Sequence, residues 1–468
     1  MKKIKLNLSD VTFTALSVDK SAKVCFYNGR ILRLINTDFV ETAYNLIKKG
    51  GLIEELIKKK LFINTWISNI EIEGYPLVLE HEIIERWIYP YEWSFEMLRD
   101  AGLLVLEVDT ISNKFGYELM DGHAYNVTFN FNKPIYVDFG SFSIKQIRNP
   151  WRSYNIFLGH FYIPLILWSK GFSNTAKNIF FMSDYFDHKE YIKIRFPFLN
   201  LINNFIFNYL YKSYTYFIRL SFIKNDHERL KNVLVAYIVN FIKAFACNFF
   251  SKDKLKNKIK GLKRPITNSM WSNYHDDLDI NSNKRFLRLS NIVSSLLDAK
   301  SSLEVAANHG KFSAFILENT HIREVIATDY DSEAVDIMYL LNKNKSKFKI
   351  YLSNFAIGGS HNGDTGITLR IKSDIVIALA VTHHLVISQG ISLNHIFRQL
   401  GKLTNKYIIV EYMPLGLYAG DLNKTPAIPK DYYPEIFRHE FLNFFSLIMD
   451  EKIEKNRHVF VGKVLVNN

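Results

Sequence analysis

Between Ser301 and Asp331 a short apolar strand runs into Leu303-Glu304-Val305-Ala306-Ala307-Asn308-His309-Gly310, and a helical run begins near Lys311-Phe312-Ser313. A turn of small residues between strand and helix lets backbone N–H groups approach a nucleotide-like ligand closely. A second strand, Glu324-Val325-Ile326-Ala327-Thr328, ends at Asp329, 19 residues beyond Gly310. That separation is close to the roughly 20 residues at which an acid on the second strand accepts hydrogen bonds from ribose hydroxyls. A Gly-containing turn alone says little, but turn, acid and strand–helix alternation together predict a nucleoside-binding crevice. A further apolar strand is led by Asp374 and closed by Thr382-His383-His384. Ligands of an open parallel sheet bind outside the carboxyl ends of its strands, which puts both histidines in the crevice. A neutral imidazole suits a general base, so His384 is the candidate to take a proton from an acceptor hydroxyl. A hydrogen bond to backbone at the strand end is the competing use, and His383 reads as structural. Another strand, Tyr407–Val410, ends at Glu411.

These residues need a scaffold. From Phe286 onward helix and short apolar strand alternate, which implies a parallel sheet with crossover helices, an α/β Rossmann-like domain over 285–468. Residues 1–142 mix strands and helices into an α+β domain. Lys23–Phe26 and Arg30–Ile35 are β-rich runs around Asn28-Gly29, a hairpin signal. Phe39 to Lys60 has helical spacing broken at Gly50-Gly51, and Phe95 to Val108 reads as an apolar helix. Residues 143–250 continue that domain as a helical, aromatic-rich region whose rings read as core packing. Residues 251–284 are polar, broken by Gly261 and Pro265, and form the linker.

The 468 residues suffice for two or three domains, and 48% apolar with 22% charged residues is a globular composition. The net charge of +13 favours anionic partners. Its densest run, Ser251 to Arg264, sets seven Lys/Arg against one Asp and reads as a solvated helix or linker, with an anionic membrane surface as the contact it could make. Two cysteines, Cys25 and Cys247, cannot build a disulfide framework. No apolar stretch follows the N-terminus, and no window of about 18 uncharged apolar residues occurs. Tyr154–Trp168 is interrupted by Pro164, and Val233–Phe250 carries Asn240, Lys243 and Asn248. Both read as buried helices, and the chain as cytoplasmic.

The segments Glu-Val-Ala-Ala-Asn-His-Gly-Lys-Phe-Ser from Glu304, Ala-Thr-Asp-Tyr-Asp from Ala327, Ala-Leu-Ala-Val-Thr-His-His-Leu from Ala378 and Val-Glu-Tyr-Met-Pro from Val410 resemble the successive motifs of class I S-adenosylmethionine-dependent methyltransferases. More narrowly, they resemble a bacterial family related to rhizobial nodulation methyltransferases, which carries a long N-terminal region. The chain is similar to that region too, at Tyr89–Phe95, Asp121–Asn126 and Asp138–Phe142, so the resemblance covers roughly residues 50–468. It implies S-adenosylmethionine as cofactor, with Glu304 facing its amino-acid end. Ala306, Asn308, Gly310, Asp329, Asp331, Asn354 and Ala378 would complete the binding set. Two positions that usually hold glycine carry Ala306 and Asn308. The acid often found after the third strand is replaced by Ser353-Asn354, leaving Asn354 to meet the adenine edge. The kinship implies O-methylation of a hydroxyl on a small molecule, carbohydrate or glycoconjugate.

Asp121-x4-Asn126 followed by Asp138-Phe139-Gly140 resembles the catalytic loop and metal-binding segment of protein kinases. Asn126 and Asp138 flank a candidate hairpin, at whose open end they could hold Mg²⁺ with a nucleotide, with Asp121 as the hydroxyl-orienting base. No Gly-rich phosphate loop is visible, and Arg33 stands where the phosphate-binding lysine would be. A bifunctional kinase-like methyltransferase and a catalytically silent binding protein are therefore the rivals. Nucleic acid is disfavoured as acceptor, because Thr382-His383-His384 stands where the tetrad for base methylation would be.

Overall fold

The computed structural model describes residues 3–14, 19–147, 151–181, 250–265, 280–357, 366–418 and 420–465. They gather into two compact units, one drawn from Met1–Val108, Ala124–Gly140 and Arg264–Asn468, the other from Asp109–His123 and Ser141–Lys263.

The first unit opens with a five-stranded antiparallel sheet of β1 (Thr12–Phe13), β2 (Ala22–Tyr27), β3 (Arg30–Ile35), β4 (Thr65–Ile67) and β5 (Leu77–His81), in the order β1-β2-β3-β5-β4. Asn28 and Gly29 take φ of 45° and 74°, so Tyr27 faces Arg30 across a two-residue turn, the hairpin the Asn-Gly pair predicts. Alternate residues Cys25, Leu32, Leu34 and Val78 fill its core. The helices α1 (Val40–Ile47) and α2 (Leu52–Lys58) are divided at Gly50-Gly51. Helix α3 begins at Phe95 and continues to Lys114, beyond the expected Val108. Leu98, Ala101, Val105 and Val108 form its buried stripe. A hairpin of β6 (Val127–Asn130) and β7 (Lys133–Tyr136) follows.

The same unit ends in a seven-stranded sheet. Its strands are β8 (Ser301–Val305), β9 (Glu324–Asp329), β10 (Phe348–Leu352), β11 (Ser373–Ala378), β12 (Thr404–Tyr412), β13 (Phe445–Glu454) and β14 (Arg457–Val464), ordered β10-β9-β8-β11-β12-β14-β13. The strands from β10 to β12 pair in parallel, and β14 and β13 close the edge antiparallel. Val325, Ile326, Ile350, Val376 and Ile408 are fully buried, as strands covered on both faces require. Helix α5 (Lys284–Ser295) precedes β8, while α6 (Lys311–Asn319), α7 (Ser332–Asn342) and α8 (Leu393–Leu403) make crossovers. This is the Rossmann-like α/β fold expected from the alternation. The chain leaves β8 toward β9 and returns on its other side as β11, so the topological switch point, where such sheets bind ligands, lies between β8 and β11.

The segment from Glu82 to Asp100 is bound to the flank of this sheet. Arg86 pairs with Glu324 at 3.1 Å and donates to Lys372 O at 3.0 Å. Lys349 Nζ donates to Glu85 O and Arg86 O, and Tyr351 OH to Arg86 O. Arg370 holds the buried Glu92 through both its Nη atoms and lies 4.7 Å over the Tyr89 ring. Asp336 accepts from Glu96 N at 2.8 Å. The Tyr89–Phe95 cluster is thus engaged in packing, with Trp93 and Phe95 fully buried.

In the second unit, helices Tyr154–Phe157 and Ile163–Ser169 are joined by a π-helical turn at Leu158–Tyr162, and Pro164 follows directly on that turn. Within the basic run, α4 (Lys252–Gly261) is helical, with Leu255 and Ile259 buried and Lys254, Lys258 and Lys260 exposed. The Val233–Phe250 stretch lies outside the described residues up to 249. No helix among the described residues is long and apolar enough to cross a membrane.

Candidate active site

Beyond β8 the backbone turns left-handed at every second residue: Ala306, Asn308 and Gly310 have φ of 53°, 52° and 66°. The N–H groups of this turn are held by the protein itself: Ala307 N donates to Thr328 O, Asn308 N to Asp329, His309 N to Asn308 Oδ1 and Gly310 N to Ala307 O. Asn tolerates the left-handed region, whereas Ala306 bears a cost of about 1–2 kcal/mol, of the kind stored at functional sites. Gly310 is required twice over, because a Cβ there would lie 2.9 Å from Met338 Cγ and 3.1 Å from the Phe348 ring.

Asp329, the last residue of β9, closes the turn. Its Oδ2 accepts from Asn308 N at 2.8 Å and its Oδ1 from Asp331 N at 2.9 Å. Burial pushes its pKa up to about 6. Glu304 is buried on β8 and accepts from Ser313 Oγ on α6 at 2.5 Å. Burial raises it to about 7, against the opposing pull of Ser313 and Arg285. Ala378 ends β11 in register with Val305, leaving the switch point lined by a small side chain. The structure therefore brings together Glu304, Ala306, Asn308, Gly310, Asp329 and Ala378. Asp331 caps α7 through Oδ1, accepting from Glu333 N and Ala334 N. Asn354 caps its own turn through Ala356 N at 3.0 Å.

The histidines do not close the strand as the apolar run suggested. β11 stops at Ala378, Ala380 takes φ 47°, and His383 and His384 start a helical turn. Their rings lie 4.0 Å apart. Burial drives His383 down to about 3 and lowers His384, so both are neutral near pH 7. Sequence reasoning missed what lies behind them. Arg285 Nε and Nη2 donate to the two oxygens of the fully buried Glu411 at 2.6 and 2.5 Å, and Arg457 Nη1 adds a third contact at 3.1 Å. Thr382 Oγ1 and Tyr432 OH share a hydrogen bond of 2.9 Å. A carboxylate ending an apolar strand was the visible signal; its partner lies 126 residues away.

In the N-terminal sheet, Arg33 on β3 reaches Asp19 at 2.7 Å and Asp138 at 2.8 Å. Asp138 Oδ1 also accepts from Gly140 N, and a Cβ on Gly140 would lie 2.6 Å from Asp19. Asn126 and Asp138 do flank the β6–β7 hairpin, but Asn126 Nδ2 donates to Tyr136 OH at 3.2 Å. Asp121, in the second unit, contacts His123 Nε2 at 3.2 Å. Arg33 already supplies the positive charge at Asp138, and among the described residues no group of three or more His, Cys, Asp or Glu is placed to hold a metal ion. Asp138 is thus already paired with a cation, and Asn126 is tied through Nδ2 to Tyr136.

No family model matches the chain. It is similar to the nodulation protein NoeA of Rhizobium meliloti (strain 1021), 24% identical over 430 residues, which are 85% of this chain and 83% of that protein. Among solved structures it is similar to the N-methyltransferase NodS from Bradyrhizobium japonicum WM9 in complex with S-adenosyl-L-homocysteine, at 10% identity, 41% of this chain, 90% of that chain and TM-score 0.30. It is also similar to the bifunctional kinase-methyltransferase WbdD, at 15% identity, 42% of each chain and TM-score 0.28.

Proposed function

We propose that the chain is an S-adenosylmethionine-dependent methyltransferase acting on a hydroxyl of a carbohydrate or glycoconjugate in the cytoplasm. The observation that carries the reading is the left-handed turn Ala306–Gly310, hydrogen-bonded onto Asp329 at the switch point of the sheet. When bound, the cofactor supplies an electrophilic methyl group on a sulfonium. Asp329 uses one lone pair of each oxygen on backbone N–H, leaving the others for ribose hydroxyls. Glu304, ionised by a cationic neighbour, faces the ammonium of the donor. Asn354 serves the adenine edge. His384 would accept the proton of the acceptor hydroxyl, and its lowered pKa keeps it neutral and ready to accept near pH 7. The sugar acceptor is supported by the motif resemblance to nodulation methyltransferases.

Thermal shift with the donor separates this from a silent binding protein. At 100 times the dissociation constant the donor adds about 2.7 kcal/mol of stability. Labelled methyl should then enter glycan from a fractionated lysate, and His384→Ala should cut turnover by about 100-fold with donor affinity unchanged. No stabilisation by the donor sinks the methyltransferase reading; unchanged turnover removes only the base.

A further inference from the structure

A methyl donor of this kind ends in a zwitterionic amino acid, which needs an acid and a base side by side. Glu304 is the acid. Glu304 is in register with Ile377, and Ile377 with Ile409, so Glu411, two residues on, faces the same side of the sheet two strands away, about 10 Å. Arg285 acts on both carboxyls, bonded to Glu411 and close enough to Glu304 for its charge to be felt there. Its backbone is fixed in the first turn of α5, where Arg285 N donates to Asn283 Oδ1 at 3.0 Å. One edge of its guanidinium, Nε and Nη2, is taken up by Glu411, while Nη1 makes no hydrogen bond among the described residues and is not sealed from solvent. Arg285 is also among the charges that favour the ionised form of Glu304. A buried ion pair is replaceable by apolar side chains at little cost in stability, so tying α5 to β12 is a weak reason for this pair to exist.

We propose that Arg285, braced by Glu411, binds the carboxylate of the donor's amino-acid end, opposite the ammonium held by Glu304. This rests on the methyltransferase reading above, and the test keeps the two apart. The full-length protein is titrated calorimetrically with S-adenosylhomocysteine and with 5′-methylthioadenosine, which shares the nucleoside and thioether but lacks the amino acid. Arg285→Met weakens S-adenosylhomocysteine about 10- to 100-fold and leaves methylthioadenosine within about threefold. Because Arg285→Met strands a buried carboxylate, the double variant Arg285→Met/Glu411→Leu, which removes both charges, is measured beside it and shows the same selective loss. Equal weakening of both ligands, or no weakening of either, overturns the assignment. Wild-type protein that binds neither ligand refutes the methyl-donor reading itself, and this inference with it.

Discussion

Glu304 stands between two opposed demands. Its burial favours the protonated form, raising it from 4.5 to about 7, while a cationic ligand needs it ionised. Between those two values the folded chain keeps a proton that the unfolded chain has released. The stability Glu304 confers therefore falls as pH rises through that window and is level above it. Glu304→Gln has no such term, so in the absence of donor its melting temperature should climb relative to wild type from about pH 5 to about pH 8. A difference that stays constant across that range would show that the acid is not buried as described. Glu304, Gly310 and Asp329 were legible in the sequence because each sits at or beside a junction of strand, turn or helix, within 25 residues of the next. Arg285 and Glu411 were not, since 126 residues separate them and no local spacing relates them. Asp331 and Asn354, named from the resemblance, each also hold local structure through one side-chain oxygen, Asp331 at the start of α7 and Asn354 within its own turn.

At the level of elements, the turn from Ala306 to Gly310 makes opposite predictions at its two ends. Ala306 carries a Cβ in a left-handed conformation with φ 53°, and Ala306→Gly should relieve part of that cost, stabilising by about 0.5–1 kcal/mol after the greater chain entropy of glycine is deducted. Gly310→Ala meets both the conformational penalty and the contacts with Met338 and Phe348, and should destabilise by about 2–3 kcal/mol. Urea denaturation of the two variants checks this; the same sign for both would mean that the alternating turn is not present. The alternation of strand and helix, the Asn28-Gly29 hairpin and the break at Gly50-Gly51 were readable because turn chemistry and periodicity are local. The end of β11 was not, because Ala378 to Val381 is apolar throughout and only the left-handed Ala380 breaks the strand. Asp138 was likewise found at the end of its hairpin, and Arg33, noted in the sequence only as standing where a phosphate-binding lysine would be, is its ion-pair partner from 105 residues earlier.

For the whole molecule, the decisive feature of the first unit is that its seven-stranded sheet is not chemically complete on its own. Composition marks residue 285 as the place where strand–helix alternation begins, yet the hydrogen bonds cross that point. Arg370 has Glu92, Lys349 has the carbonyls of Glu85 and Arg86, and Asp336 has Glu96 N, and every one of these partners lies in the segment from Glu82 to Asp100. Each of the three sheet-side groups is polar and largely removed from water. Removing one partner of a buried ion pair costs about 3–5 kcal/mol, against a typical domain stability of about 5–15 kcal/mol. Residues 264–468 expressed alone would lose the Arg370 pair and the carbonyl cage of Lys349 together. That fragment should therefore show no cooperative thermal transition and no binding of S-adenosylhomocysteine, whereas the full chain shows both. A fragment that melts cooperatively near the full-length temperature and binds the ligand with equal affinity would mean that the segment from Glu82 to Asp100 merely rests on the sheet and contributes nothing to its fold.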